Sequence, residues 1–187
     1  MNLIDVKSPA DLKGLSISEL TDLIAQARQA LMTKVSEHGG HFGPPMGAAE
    51  MIMALHYVFN SPVDKIVYDV SHQSYVHKMV TGRAIAFLDH NHYDDVTGYT
   101  DPTESEHDLF NIGHTSTSIS LASGLATARN LKGDSENIIA IIGDGSLSGG
   151  EAFEGLDYAA TLDSNMIIIV NDNDQSIAEN HGGLYRG

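Results

Sequence analysis

Two short polar segments of this chain carry the residue types that hold a hard cation and the phosphates bound to it. Gly143-Asp144-Gly145 and Asn171-Asp172-Asn173 each follow an apolar, β-branched run, and 27 residues (146–172) lie between Gly145 and Asn173. One carboxylate, one side-chain amide and one backbone carbonyl are oxygen ligands of the kind magnesium accepts in a near-octahedral shell completed by phosphate oxygens and water. Glycines beside them let backbone N–H groups approach an anion closely, and the start of a following helix favours negative charge. Gly-Asp-Gly alone is often a plain turn. Paired with Asn173, it predicts that Asp144 and Asn173 converge on one divalent ion and a diphosphate.

That chemistry needs two neighbouring strands. The runs Ile138-Ile139-Ala140-Ile141-Ile142 and Met166-Ile167-Ile168-Ile169-Val170 are too continuous for half-exposed strands and predict two buried parallel ones. Between them, Ser148 to Leu162 sets Ala152, Leu156, Ala159 and Ala160 at helical spacing. Residues 138–173 thus read as a βαβ unit with its ligand site at the carboxyl ends of the strands. Other phosphate motifs fit worse. No Gly-Lys-Ser/Thr follows Gly143, and Ser148 stands where a dinucleotide fingerprint wants Gly or Ala. An EF-hand starting near Asp172 fails because Ile177 occupies its glycine position.

Upstream, Ser16-Ile17-Ser18-Glu19 forms a capping box, and Leu20, Ile24, Ala27 and Leu31 continue an apolar stripe to about Val35, so a helix opens the chain. Residues 39–47 predict a glycine and proline loop, 48–59 a helix, 65–70 a short strand and 71–82 a turn into helix. Residues 89–106, polar and turn-rich, predict a mobile surface loop. Residues 115–131 predict a helix closed by Lys132-Gly133. Met46, Met51, Met53 and Ala54 are expected to fill core. Ser116 and Ser118 lack a nucleophile elbow and read as helix caps or phosphate contacts.

The histidines divide. His90-Asn91-His92, with Asp89, Asp94 and Asp95, invites a metal, but a tight His-x-His in a polar loop is more simply a solvated surface. His56 reads as a packed or surface residue; His38, His77, His107 and His181 stay undecided. Glu151 and Glu154 fit either a subunit interface or a solvated helix face.

Composition narrows the partners. The 187 residues, 42% of them hydrophobic, suffice for one core burying roughly 70% of the unfolded surface. A formal charge of −15 with only 10 lysines and arginines argues against nucleic acid and anionic membrane. An anionic cofactor would then be held by metal and backbone amides. There is no cysteine, which excludes disulfides and thiolate metal sites. The first thirty residues contain no apolar signal region, and no run reaches the ~18 residues of a membrane span, so a cytoplasmic location is expected.

Six segments together carry a resemblance: Gly39-Gly40-His41 with Glu50–Phe59, Asp69–Arg83, Glu104–Asp108, Gly113–Ser120, Gly143–Glu154 and Asn171–Asn180. In this order they resemble the amino-terminal region of the 1-deoxy-D-xylulose-5-phosphate synthases, relatives of transketolase. The resemblance implies an α/β fold, a three-layer arrangement of parallel sheet flanked by helices that binds thiamine diphosphate. It implies Mg2+ held by Asp144, Asn173 and the carbonyl of Gln175. The cofactor would be met by Gly143, Gly145, Ser146, His114, Thr115, Ser116, Ser176, Ile177 and His72. His41 and His72 would line the substrate side as catalytic groups, where imidazole is the side chain poised to move protons near neutral pH.

The implied reaction joins pyruvate to glyceraldehyde 3-phosphate, releasing carbon dioxide and 1-deoxy-D-xylulose 5-phosphate for isoprenoid and thiamine synthesis. Where Pro44-Pro45, Ser71, Val76 and Gln175 stand, that family usually has small hydroxyl residues, glycine, proline and methionine. The chain reads as one diphosphate-binding domain over residues 1–187, incomplete at its carboxyl end and without a pyrimidine-binding domain. It is therefore expected to be a fragment, a half-enzyme needing a pyrimidine-binding partner, or a non-catalytic cofactor module. A homodimer is the expected assembly, and a transketolase-like ketol transferase is the alternative activity.

Overall fold

The computed structural model describes residues 1–186, and its contacts cluster into two compact units: Met1–Pro62 with His72–Asn111, and Val63–Ser71 with Ile112–Gly187. Among the described residues, no helix is long and apolar enough to cross a membrane.

The first unit is helical. Helix α1 spans Ile17–His38, and its capping box forms as expected: Ser16 Oγ accepts from Glu19 N while the Glu19 carboxylate accepts from Ser16 N. Its buried face is Leu23, Ala27, Ala30, Leu31 and Lys34. Lys34 sits inside because its stem packs as hydrocarbon while its ammonium donates to the carbonyls of Ala86 (2.9 Å) and Tyr93 (2.8 Å) and lies 4.4 Å from the centre of the Phe87 ring. Burial pushes that amine down to about 8. Helices α2 (Gly43–Gly47) and α3 (Ala49–Val58) follow. The predicted 39–47 loop thus contains a helical turn, started by Pro44 and Pro45, whose fixed φ suits first helical positions. On α3, Ile52, Met53, Leu55 and His56 are buried, whereas Ala54 is exposed and Met51 only half-buried.

Residues 71–82 do turn into helix: a turn at 71–74 leads into α4 (Tyr75–Lys78) and a wider turn kinked at Gly82, whose φ is +92°. A Cβ there would lie 2.7 Å from the carbonyl oxygen of Lys7, so only glycine fits. Helix α5 (Ile85–Leu88) leads into the segment expected to be mobile. That segment is anchored instead: His90–Asp95 forms a 3-10 helix, Tyr93 and Thr100 are buried, and Glu104 is ion-paired with Lys78 and Arg83. Of its polar residues, Thr100 and Glu104 look inward to partners that pattern reading does not reveal, while His90, Asn91, Asp94 and Asp95 stay exposed.

The second unit is a three-stranded parallel sheet flanked by helices. Strands β1 (Lys65–Tyr68), β2 (Ile138–Gly143) and β3 (Met166–Asn171) run in the order β1-β2-β3. The register pairs Lys65 with Ile138 and Gly143 with Asn171, bringing the three strand ends together. Strand β2 is buried along its length, as its apolar run demands. Strand β3 is not: Met166–Ile169 are half-buried and Val170 is 44% exposed, at the sheet edge opposite β1, whose Ile66, Val67 and Tyr68 are buried.

Helix α6 (Ser118–Lys132) packs on the sheet through Ile119, Ala122 and Ala126. It ends at Gly133, left-handed at φ +75°, as the sequence predicts. Its first turn starts later than expected, because Ser116 is also left-handed at φ +73°. The βαβ crossover is α7 (Asp144–Leu147) and α8 (Gly150–Thr161). Helix α8 meets α6 where a Cβ on Gly155 would lie 2.9 Å from Ser120 Oγ.

Candidate functional site

In the second unit, three loops gather at the carboxyl ends of the strands. Asp69 follows β1 and is 1% exposed; its two carboxylate oxygens accept from Ser116 N (2.9 Å) and Ser118 N (3.0 Å). Helix α6 is thus capped by a distant carboxylate, and the hydroxyls of Ser116 and Ser118 are not its caps. Ser116 Oγ instead donates to the Ser146 carbonyl at 2.7 Å, tying the 114–118 turn to the loop after β2. The chain leaves Asp69 through Val70 (φ +58°) and Ser71 (φ +70°), a left-handed pair that is uncommon outside glycine. That conformation explains the glycine usual at the position of Ser71 in the resembled family. Here the Ser71 hydroxyl holds it by donating to the Ile112 carbonyl at 3.0 Å.

The contact between these loops depends on Gly149. A Cβ there would fall 2.0 Å from Ser116 Oγ. Gly149→Ala should therefore cost about 1–3 kcal/mol through overpacking, read as a lower urea midpoint with an unchanged slope.

Asp144 begins α7 and is 5% exposed. Its Oδ2 accepts from Asn180 Nδ2 at 2.6 Å, and its backbone carbonyl accepts from the Tyr185 hydroxyl at 2.5 Å. The segment after β3 folds back over this loop, so that a Cβ on Gly145 would meet Ser176 Cβ at 2.7 Å. Asn173 Oδ1 accepts from Gln175 N at 3.2 Å, and Gln175 bridges to Glu179. Gly143, Asp144, Gly145, Ser146, Ser116 and Ser176 therefore lie in one cluster of loops, with Asn173 and Gln175 on the segment that covers it. His114 and Thr115 are exposed on the adjoining turn, and Ile177 points fully outward. Asp144 and Asn173 both carry oxygen donors, the kind that hard cations accept in preference to soft ones.

In the first unit, His41 and His72 come together, with ring centres 5.5 Å apart and edge to face. Two phenols face His41: Tyr75 Oη lies 3.4 Å from Nδ1 and accepts from the His41 backbone N–H at 3.2 Å, and Tyr99 Oη lies 3.5 Å from Nε2. Burial pushes the His41 imidazole below its ordinary value, against the Gly98 carbonyl that favours the charged form, leaving it neutral and able to accept a proton at pH 7.

A second cluster in this unit links three of the six motif segments. His56 Nε2 contacts His77 Nδ1 at 2.8 Å, and His77 Nε2 donates to Asp108 Oδ1 at 2.8 Å. Arg83 grips both oxygens of Asp108 at 2.8 Å each, and Lys78 donates to Glu104 at 2.6 Å. His56 and His77 are thus buried members of an ionic network, a role that hydropathy spacing did not reveal. The surface histidines pair locally, His92 with Asp95 at 2.7 Å and His38 with Asp94 at 2.9 Å. Among the described residues, no three His, Asp or Glu side chains gather into a metal site.

A family model described as 1-deoxy-D-xylulose-5-phosphate synthase matches residues 3–187. The chain belongs to the 1-deoxy-D-xylulose-5-phosphate synthase family. Curated synthases similar to it include that of Caldanaerobacter subterraneus subsp. tengcongensis, 50% identical over 182 residues (97% of this chain, 29% of the relative). The synthase of Shouchella clausii is 49% identical over 185 residues, covering 99% of this chain and 30% of the relative. That of Pelotomaculum thermopropionicum is 47% identical over 182 residues, 97% of this chain and 29% of the relative. The chain thus spans under a third of the length of these synthases. Asp69, Ser116, Asp144 and the 171–176 loop all fall within the stretch matched to this family.

Proposed function

We propose that these residues form the magnesium and diphosphate cradle of a thiamine diphosphate-dependent synthase. Its reaction would convert pyruvate and glyceraldehyde 3-phosphate to 1-deoxy-D-xylulose 5-phosphate and carbon dioxide. The observation that carries this reading is the meeting of Asp69, Asp144 and the 171–176 loop at the ends of three parallel strands, the position where open α/β sheets bind ligands. Asp144, Asn173 and the Gln175 carbonyl would hold Mg2+, and Gly143, Gly145 and Ser146 would meet the diphosphate. Ser116, positioned by Asp69, would shape the wall beside His114 and Thr115, with Ser176 and Ile177 on the covering segment.

The cofactor would supply an electron sink for carbon–carbon bond chemistry. The neutral His41 would exchange a proton with a substrate oxygen through Nε2, the nitrogen that faces Tyr99, with His72 at its edge. A pyrimidine-binding portion supplied outside these residues would complete the site. Calorimetry with thiamine diphosphate and Mg2+ tests the cradle: wild type should bind, and Asp144→Ala should weaken Mg2+-dependent binding at least tenfold. Equal affinities in the two proteins would refute the reading.

A further inference from the structure

We infer that Asn180 and Tyr185 are positioning residues for the magnesium carboxylate, so that residues 173–185 act as one piece, supplying ligands while holding Asp144 in register. The inference rests on the magnesium–diphosphate reading above. A carboxylate at a strand end can rotate about two side-chain bonds and offer either oxygen. Here one oxygen is committed: Asn180 Nδ2 can only donate, and it reaches Asp144 Oδ2 at 2.6 Å. That leaves Oδ1 for the cation. Tyr185 fixes the other end of the residue by donating to the Asp144 carbonyl at 2.5 Å.

The intervening turn is closed on itself. Ser176 N donates to the Ala178 carbonyl at 2.9 Å, Gln175 bridges Glu179, and Ser176 seats against Gly145. Asn173 and Gln175 therefore cannot move without shifting the groups that aim Asp144. Such outer contacts matter most for magnesium, which demands near-ideal geometry at about 2.0–2.1 Å, whereas calcium tolerates irregular shells at about 2.3–2.6 Å.

The test is calorimetric titration of thiamine diphosphate into the full-length polypeptide in Mg2+ or Ca2+, for wild type, Asn180→Ala and Tyr185→Phe. Asn180→Ala should weaken Mg2+-supported binding by about 10–100-fold and narrow the preference for Mg2+ over Ca2+. Tyr185→Phe should do the same more weakly, and melting temperatures without metal should stay within about 2 °C of wild type. Wild-type Mg2+ affinity in Asn180→Ala, or an equal loss with both cations, overturns the inference while leaving the cradle intact. Absence of Mg2+-dependent binding in wild type itself would instead sink the cradle, and this inference with it.

Discussion

Asp108→Ala is expected to cost the first unit about 3–5 kcal/mol, a large part of the 5–15 kcal/mol by which domains are stable. The Asp108 carboxylate is fully buried and takes four donors: two from Arg83, one from His77 and the Asp101 backbone N–H at 2.9 Å. Truncation leaves the Arg83 guanidinium, already bonded to Glu104, without its main counter-charge in the interior. The buried His77 ring loses the acceptor that selects its tautomer. Removing one member of such a set costs far more than the set contributes net, because the remaining charge stays desolvated. Asp95→Ala is the control: its pair with His92 is exposed, and its loss should leave the urea midpoint essentially unchanged. Denaturant titration with hydrogen exchange at α3 and α4 amides checks both. A loss below 1 kcal/mol for Asp108→Ala would show that the network is peripheral to stability.

The same cluster predicts acid sensitivity, and the sign follows from the direction of each shift. Burial holds His56 and His77 below their ordinary value. As pH falls under about 6.5, the unfolded chain takes up protons that the folded one refuses, so stability drops. Burial alone would raise the Asp108 carboxyl, but Arg83 and His77 outweigh it and hold the group well below the carboxylate range. Its contribution is present above about pH 4 and is lost below that. Both effects run the same way, so the urea midpoint should decline from pH 7 to pH 5 and fall further towards pH 3.

The sequence made one half of the site more legible than the other. Apolar continuity at 138–142 and 166–170 revealed the paired parallel strands, because a central strand must be hydrophobic on both faces, and the capping box at Ser16 is a local code that α1 obeys. What pattern could not reveal are contacts set by distance along the chain. Asp69 is 47 residues from Ser116, and Asp144 is 36 from Asn180. The exposure of β3 was hidden for a related reason, since hydropathy reports what a strand can bury and not whether a neighbour covers it. Polar residues 89–106 were read as solvated because Glu104 carries no local sign that Lys78 and Arg83 reach it. One signal was available for Asp69: an acidic residue directly after a β-branched strand, preceding a turn, at the sheet end where the ligand was already expected.

Asp69→Ala should then have a double consequence. Two buried backbone N–H groups, those of Ser116 and Ser118, would lose their acceptor. At about 1–3 kcal/mol for each unsatisfied donor, the fold should weaken by roughly 2–6 kcal/mol. Ser116 would also leave its left-handed conformation, which Asp69 helps to hold, and release the hydroxyl that meets the Ser146 carbonyl. The wall beside the proposed diphosphate cradle would open, so Mg2+-dependent binding of thiamine diphosphate should weaken beyond what the lost fold explains. Asp69→Asn separates the two consequences. Its amide oxygen can satisfy one N–H while its amide nitrogen faces the other donor to donor, so an intermediate loss of stability is expected. Equal urea midpoints for Asp69→Asn and wild type would mean that the turn before α6 holds itself without the carboxylate.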